Sequence, residues 1–138
     1  MNVILSIHPK WAKLIYEGKK TIEWRKTFPW RADKGDIVYI YETAPIKKIT
    51  GSFIFNKHYR YLLDAYEEAW IDQYKMRGID IIGSGCVPVN ELQKYQNNSR
   101  SLHGWCCVGA LRFDTPKSLE EFGLKRPPQS WQYTEVEK

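Results

Sequence analysis

Proline at position 9 decides how the first twenty residues can be arranged. It has no N–H to donate, so it disrupts the interior of a helix or sheet but suits the first position of a helix. The apolar run "VILSI" (residues 3–7) therefore reads as a strand that ends at His8-Pro9. "PKWAKLIYEG" follows, with Trp11, Leu14 and Ile15 at helical spacing and Gly18 as the stop. The next stretch, "GKKTIEWRK" (18–26), sets four cationic side chains and one carboxylate around a tryptophan. Residues 21–26 alternate. Ile22 and Trp24 fall on one face, the expected core side, and Thr21, Glu23 and Arg25 on the other. Glu23 and Arg25 are then same-face neighbours within pairing reach. Lys20 precedes the strand, where pleat parity need not hold.

Further strands are expected over "KGDIVYIYE" (34–42) and "ITGSFIFNK" (49–57), the second with a glycine that marks a bulge or bend. The period then changes. Leu62, Leu63, Tyr66, Trp70 and Tyr74 form a helical stripe that predicts a helix over 59–76, ended by Gly78. "VPVNELQKYQ" (87–96) reads as a second, shorter helix, and the glycine- and asparagine-bearing stretches on either side of it as loops. "HGWCCVGALRF" (103–113) is apolar enough for a central strand. Ser118 and Glu121 make a capping box over one helical turn before Gly123. Pro127 and Pro128 forbid helix, and Trp131 and Tyr133 alternate as a last strand. The pattern predicts an α+β fold, a partly closed β-barrel of about five or six strands with flanking helices. One domain over 1–138 is expected, with a helical insertion near 59–100.

Charge is unevenly spread. Residues 1–60 carry 12 Lys/Arg against 5 Asp/Glu, and residues 61–138 carry 9 against 11, so the basic half favours an anionic partner. The three cysteines, two adjacent and one alone, describe neither a disulfide framework nor a zinc site, and no metal or cofactor is expected. No apolar run approaches a membrane span and the first residues lack the features of a secretory signal. The expectation is a cytoplasmic protein without membrane contact; oligomeric state is not legible.

At Gly18, Lys20, Glu23 and Arg25 the chain resembles the G-x-K-x-x-E-x-R signature of the ASCH domain family. "ILSIHPKWAKLI", "GDIVYIYETAP", "KKITGSF" and "RPPQSWQY" are similar to further segments of that family, in the same order. The resemblance implies a PUA-like barrel, a fold used for RNA binding, with a cleft between barrel and first helix lined by Lys20, Glu23 and Arg25. Family members include RNA-binding or coregulator modules, hydrolases of acylated cytidine and ribonucleases. The deacylating members place a threonine nucleophile where this chain has Glu23. Thr21 lies two positions earlier, roughly 7 Å away along a strand.

The residue chemistry fits a nucleotide. Arg25 presents a planar fork for a phosphate or carboxylate. Glu23 can hold that fork, accept from a base N–H, or act as a general base. Lys20 offers a compact charge or, desolvated, a base. Ser6, His8 and Lys10 flank the exit of the first strand, at the start of the helix. Tyr41 and Thr43 close a later strand as stacking or donor groups, and Gln129 and Ser130 suit base-edge reading. Trp11 and Trp24 are read as core, as are Trp70 and Tyr74, which leaves Trp30, beside Arg31 in a loop, as the stacking tryptophan. Two functions follow. The favoured one is an RNA- or modified-nucleotide-binding module with a basic cleft. The other is a nucleotide-directed hydrolase, with Lys20 and Glu23 as acid–base pair and Arg25 as clamp. An interaction domain that uses the 59–76 helix is a weaker third.

Overall fold

The computed structural model describes residues 1–62, 85–96 and 101–136. In chain order the elements are β1 (Asn2–Ile7), α1 (Pro9–Tyr16), β2 (Ile22–Arg25), β3 (Ile37–Glu42), β4 (Lys48–Leu62), α2 (Val89–Gln96), β5 (Ser101–Lys117), a 3-10 turn (Leu119–Phe122) and β6 (Trp131–Thr134). The strands form one curled six-stranded sheet in the order β2-β5-β4-β3-β1-β6, a half-barrel. β1 and β3 run parallel and every other neighbouring pair antiparallel. Fold class and strand number agree with the sequence reading.

Local signals act as expected. Pro9 opens α1, and the His8 side chain caps it by accepting from Lys10 N–H. Gly18, at φ 76°, turns the chain out of α1 towards β2. The Ser118–Glu121 box closes over the 3-10 turn, and Gly123 ends that turn in the left-handed region. At Gly51 the β4/β5 register shifts. A Cβ there would stand 2.1 Å from the Leu111 carbonyl and 2.5 Å from the Tyr16 hydroxyl, so only glycine lets the strands and α1 close up.

One expectation needs correction. Residues 59–62 do not begin a helix; they continue β4, whose Tyr59, Arg60, Tyr61 and Leu62 pair with Gly104, His103, Leu102 and Ser101. The helical reading of this stretch loses here to a backbone ladder that β5, about 40 residues later, provides. The remainder of the 59–76 helix, Gly78 as its stop, and residues 97–100 lie outside the described residues.

Pleat alternation splits the core. Val3, Leu5, Ile7, Val38, Ile40, Phe53 and Trp105 face α1, and Ile4, Tyr39, Tyr41, Ile49 and Phe122 fill the opposite face. The two outer strands, β2 and β6, are then tied by side chains. Arg25 donates to the Ser6 carbonyl and to Ser130 Oγ. Trp131 Nε1 donates to Thr27 Oγ1 at 2.8 Å, and the Tyr133 hydroxyl accepts from Arg31 N–H at 3.0 Å. Side chains rather than a ladder join this seam.

Candidate functional site

The seam holds the charged cluster. Lys20, just past α1, is fully buried; its ammonium donates to the Gly85 carbonyl and stands 3.4 Å from Glu23 Oε1. It also lies 5.2 Å from the centroid of the Trp11 ring. Glu23 Oε2 accepts from Arg25 Nη2 at 2.9 Å. The same Nη2 donates to the Ser6 carbonyl at 2.6 Å, and Nη1 reaches Ser130 Oγ at 3.2 Å. Strand parity puts Glu23 and Arg25 on one face, and the turn at Gly18 carries Lys20 back to them.

Burial alone would raise the Glu23 carboxyl, but the Arg25 and Lys20 charges and their hydrogen bonds outweigh it and hold it below the ordinary carboxylate range. Glu23 is therefore an anion at neutral pH. A carboxylate has about four acceptor positions. Lys20 and Arg25 each occupy one oxygen, which leaves acceptor capacity on both. The cations are the more committed groups. Both hydrogens of Arg25 Nη2 are engaged within the protein, and the Lys20 ammonium is held by a carbonyl and a carboxylate. The phosphate fork expected of Arg25 is largely spent on holding the seam.

A cavity of about 320 Å³ opens beside this cluster. Glu23 and Arg25 line it with Trp11, Trp24 and His8, while Val87, Glu91, Leu92 and Tyr95 reach it from α2 and the residues before it. Trp11 and Trp24, read from sequence as core, are thus cavity residues. Trp24 is 4% exposed and Trp11 packs against the main core cluster, so the core reading holds and the cavity lining is added to it. Among the described residues β2 pairs with β5 alone, and the cavity beside its other edge is lined by side chains from both of its faces.

The remaining sequence candidates divide. Ser6 and Ser130 hold Arg25, and the Ser6 hydroxyl donates to the Pro128 carbonyl at 2.6 Å. His8 lines the cavity, and Lys10 stands over the outer Trp11 ring, 4.7 Å from its centroid. Tyr41 packs into the apolar cluster on the opposite sheet face. Thr43 N–H donates to the Ile7 carbonyl, and Gln129 is exposed next to Ser130; neither lines this cavity. Sequence reasoning missed the α2 wall. The 87–96 helix was legible, but nothing in its own residues says which strand edge it covers. Among the described residues no group of three or more His, Cys, Asp or Glu is placed to hold a metal ion. Burial, with the Glu23 charge next, pushes the Cys107 thiol up, which disfavours the reactive thiolate. No described helix is long and apolar enough to cross a membrane.

Fold and site together define a small half-barrel domain with a buried Lys–Glu–Arg cluster opening on an aromatic cavity. The sequence matches the family model described as ASCH domain over residues 5–117, and the chain belongs to that family. It is 24% identical over 133 residues to a large ribosomal subunit protein uL22 of Ureaplasma parvum serovar 3, a match covering 96% of this chain. The chain spans only 39% of that relative's length. Over 50 residues, 36% of this chain and 33% of the relative, it is 42% identical to an ASCH domain-containing ribonuclease of Zymomonas mobilis. The crystal structure of ASCH from Zymomonas mobilis superposes with a TM-score of 0.75 at 20% identity, covering 96% of this chain and 86% of that one. That likeness shows the fold.

Proposed function

We propose that this ASCH domain binds RNA by taking one unpaired base into the cavity beside β2. The observation that carries the reading is the residual acceptor capacity of an ionised, buried Glu23 in a cavity lined by Trp11, Trp24 and Tyr95. Splayed bases are recognised by aromatic stacking and by hydrogen bonds to their polar edges. Glu23 accepts from a base N–H, and Arg25 donors that the described residues do not engage serve the acceptors beside it. The cations of the cluster are committed inside the protein, so the backbone phosphates are met outside it by exposed cations of the basic half, such as Lys10 and Lys26. A cavity of about 320 Å³ is at the small end of ligand sites, sized for one unit of a polymer. Among the relatives, one is named a ribonuclease and one a ribosomal subunit protein, and both names point to RNA.

The test is a tryptophan-fluorescence titration with nucleoside monophosphates and with a short single-stranded RNA at two salt concentrations. Quenching should saturate, and log K for the RNA should fall with log salt by about 0.7 per phosphate contact. RNA binding that is absent at low salt, or insensitive to salt, contradicts the proposal.

The ribonuclease name favours a second reading, in which the same cavity cleaves what it binds. Glu23→Gln would then lower turnover by about two to four decades with affinity roughly kept. Assay against short RNA, and against acylated cytidine as the other family substrate, separates the two. Absence of turnover on both, with RNA binding intact, leaves the binding module.

A further inference from the structure

Trp30 lies outside the cavity and is 68% exposed, the most exposed of the large apolar residues described. Its position is set by the cavity's own strand. Arg25, which lines the cavity, is the cross-strand partner of His103, so their side chains share a sheet face. The Trp30 ring meets the His103 ring edge-on at 6.2 Å and the Phe28 ring at 5.1 Å. The His103 side chain adds about 4 Å and the cross-strand step about 5 Å, so the Trp30 ring stands within roughly 16 Å of the Arg25 backbone, on the sheet face that Arg25 shares with Glu23.

Exposed cations flank both ends of this path. Lys26, the residue after Arg25, has its ammonium 5.0 Å from the ring centroid of Tyr95, itself a cavity residue. Arg31, next to Trp30, is held over the Tyr133 ring at 4.6 Å, and its backbone N–H is bonded to the Tyr133 hydroxyl. The run from residue 26 to 31 thus leads from the cavity rim to an exposed aromatic ring, with a cation at each end and Thr27 anchored by Trp131.

We infer that Trp30 is a second base-stacking site, and that the domain grips two neighbouring unpaired nucleotides of one strand. The first base enters the cavity. The next stacks on Trp30, and the linking phosphates pass Lys26 and Arg31. This rests on the cavity as an RNA-base site and specifies its ligand as an oligoribonucleotide rather than a free nucleotide. Base stacking on an aromatic side chain is tolerant of base identity, so this second position adds affinity more than sequence preference.

The experiment compares one nucleoside monophosphate with an eight-nucleotide single-stranded RNA on wild type, Trp30→Ala and Trp30→Phe. Trp30 is mostly solvated, so its replacement leaves the core in place. The expected result is an RNA affinity about ten-fold lower for Trp30→Ala, largely restored in Trp30→Phe, with mononucleotide affinity unchanged. An RNA affinity within two-fold of wild type in Trp30→Ala overturns the inference while the cavity reading stands. So does an equal loss for both ligands, which would mean that Trp30 only props up the cavity. Failure of wild type to bind either ligand overturns the cavity reading, and this inference with it.

Discussion

Glu23 and Glu42 are both buried carboxylates on the α1 side of the sheet, each with an arginine partner, yet they are held differently. Glu23 has short contacts to two cations, and open space beside it. Glu42 is 4% exposed, and its Oε2 makes no hydrogen bond among the described residues. That oxygen lies 3.8 Å from the half-exposed Arg112, whose guanidinium rests over the Tyr16 ring. Tyr16 in turn is bonded to Thr50, against the close approach at Gly51. Burial of a charge is common to both clusters, so burial does not mark the site. In the proposed reading the mark is residual acceptor capacity that faces a cavity.

The largest difference should appear when a cation is removed from each. Lys20→Met strips Glu23 of a fully buried partner and should cost about 3–5 kcal/mol in denaturant unfolding. Arg112→Met removes a solvent-screened partner and should cost about 1 kcal/mol or less. Equal losses would erase the distinction. Gly51→Ala comes next, because the new methyl meets backbone at Leu111 as well as Tyr16; about 1–3 kcal/mol should be lost, with no change in ligand affinity.

A smaller effect separates binding from folding. Tyr95→Ala should weaken nucleotide or RNA binding by about ten-fold. Tyr16→Phe should leave binding alone and cost about 1 kcal/mol of stability through the lost Thr50 bond. Titration of both variants with the same RNA checks it, and a binding defect in Tyr16→Phe would join the two clusters into one site.

The smallest effects lie at opposite ends of the pH scale. The Glu23 carboxyl is lower in the folded than in the unfolded chain, so its contribution is complete above the ordinary carboxylate range and is lost as pH falls through the folded value. Glu23→Gln should flatten the acid side of the stability curve. Burial pushes the Tyr16 hydroxyl up to about 12, helped by the Glu42 charge and opposed by Thr50 and Arg112. Its contribution is complete below about pH 10, the unfolded value, and is lost as pH rises through about 12. Tyr16→Phe should flatten the alkaline side only. Thermal unfolding over a pH series reads both.

Much of the Glu23 cluster was legible in the sequence because its determinants are local. Pro9, Gly18 and the alternation at 22–25 place Glu23 and Arg25 together and bring Lys20 near them. The Glu42 cluster was invisible, since Tyr16, Thr50 and Arg112 come from three distant elements and no short spacing relates them. The same reason hid Tyr95 and Leu92 as cavity residues. Trp24 is buried and Trp11 packs against the core, as read; that both also line the cavity was hidden, because a tryptophan beside a small cavity obeys the same periodicity as one in the core. At residues 59–62 a run of aromatics and leucines fits either period, and a distant ladder partner chose strand.

Arg25 is also the clasp of the half-barrel, since its guanidinium reaches from one outer strand to the chain beside the other. In the proposed complex a base seated against Glu23 would rest on a latch, and closure of the seam and occupancy of the cavity would be reciprocally linked. An RNA that leaves the latch in place should slow the opening of β2 and β6, and whatever pries those edges apart should release the RNA. Free protein would then exchange the amide hydrogens of its two outer strands faster than RNA-bound protein, with the middle of the sheet unaffected.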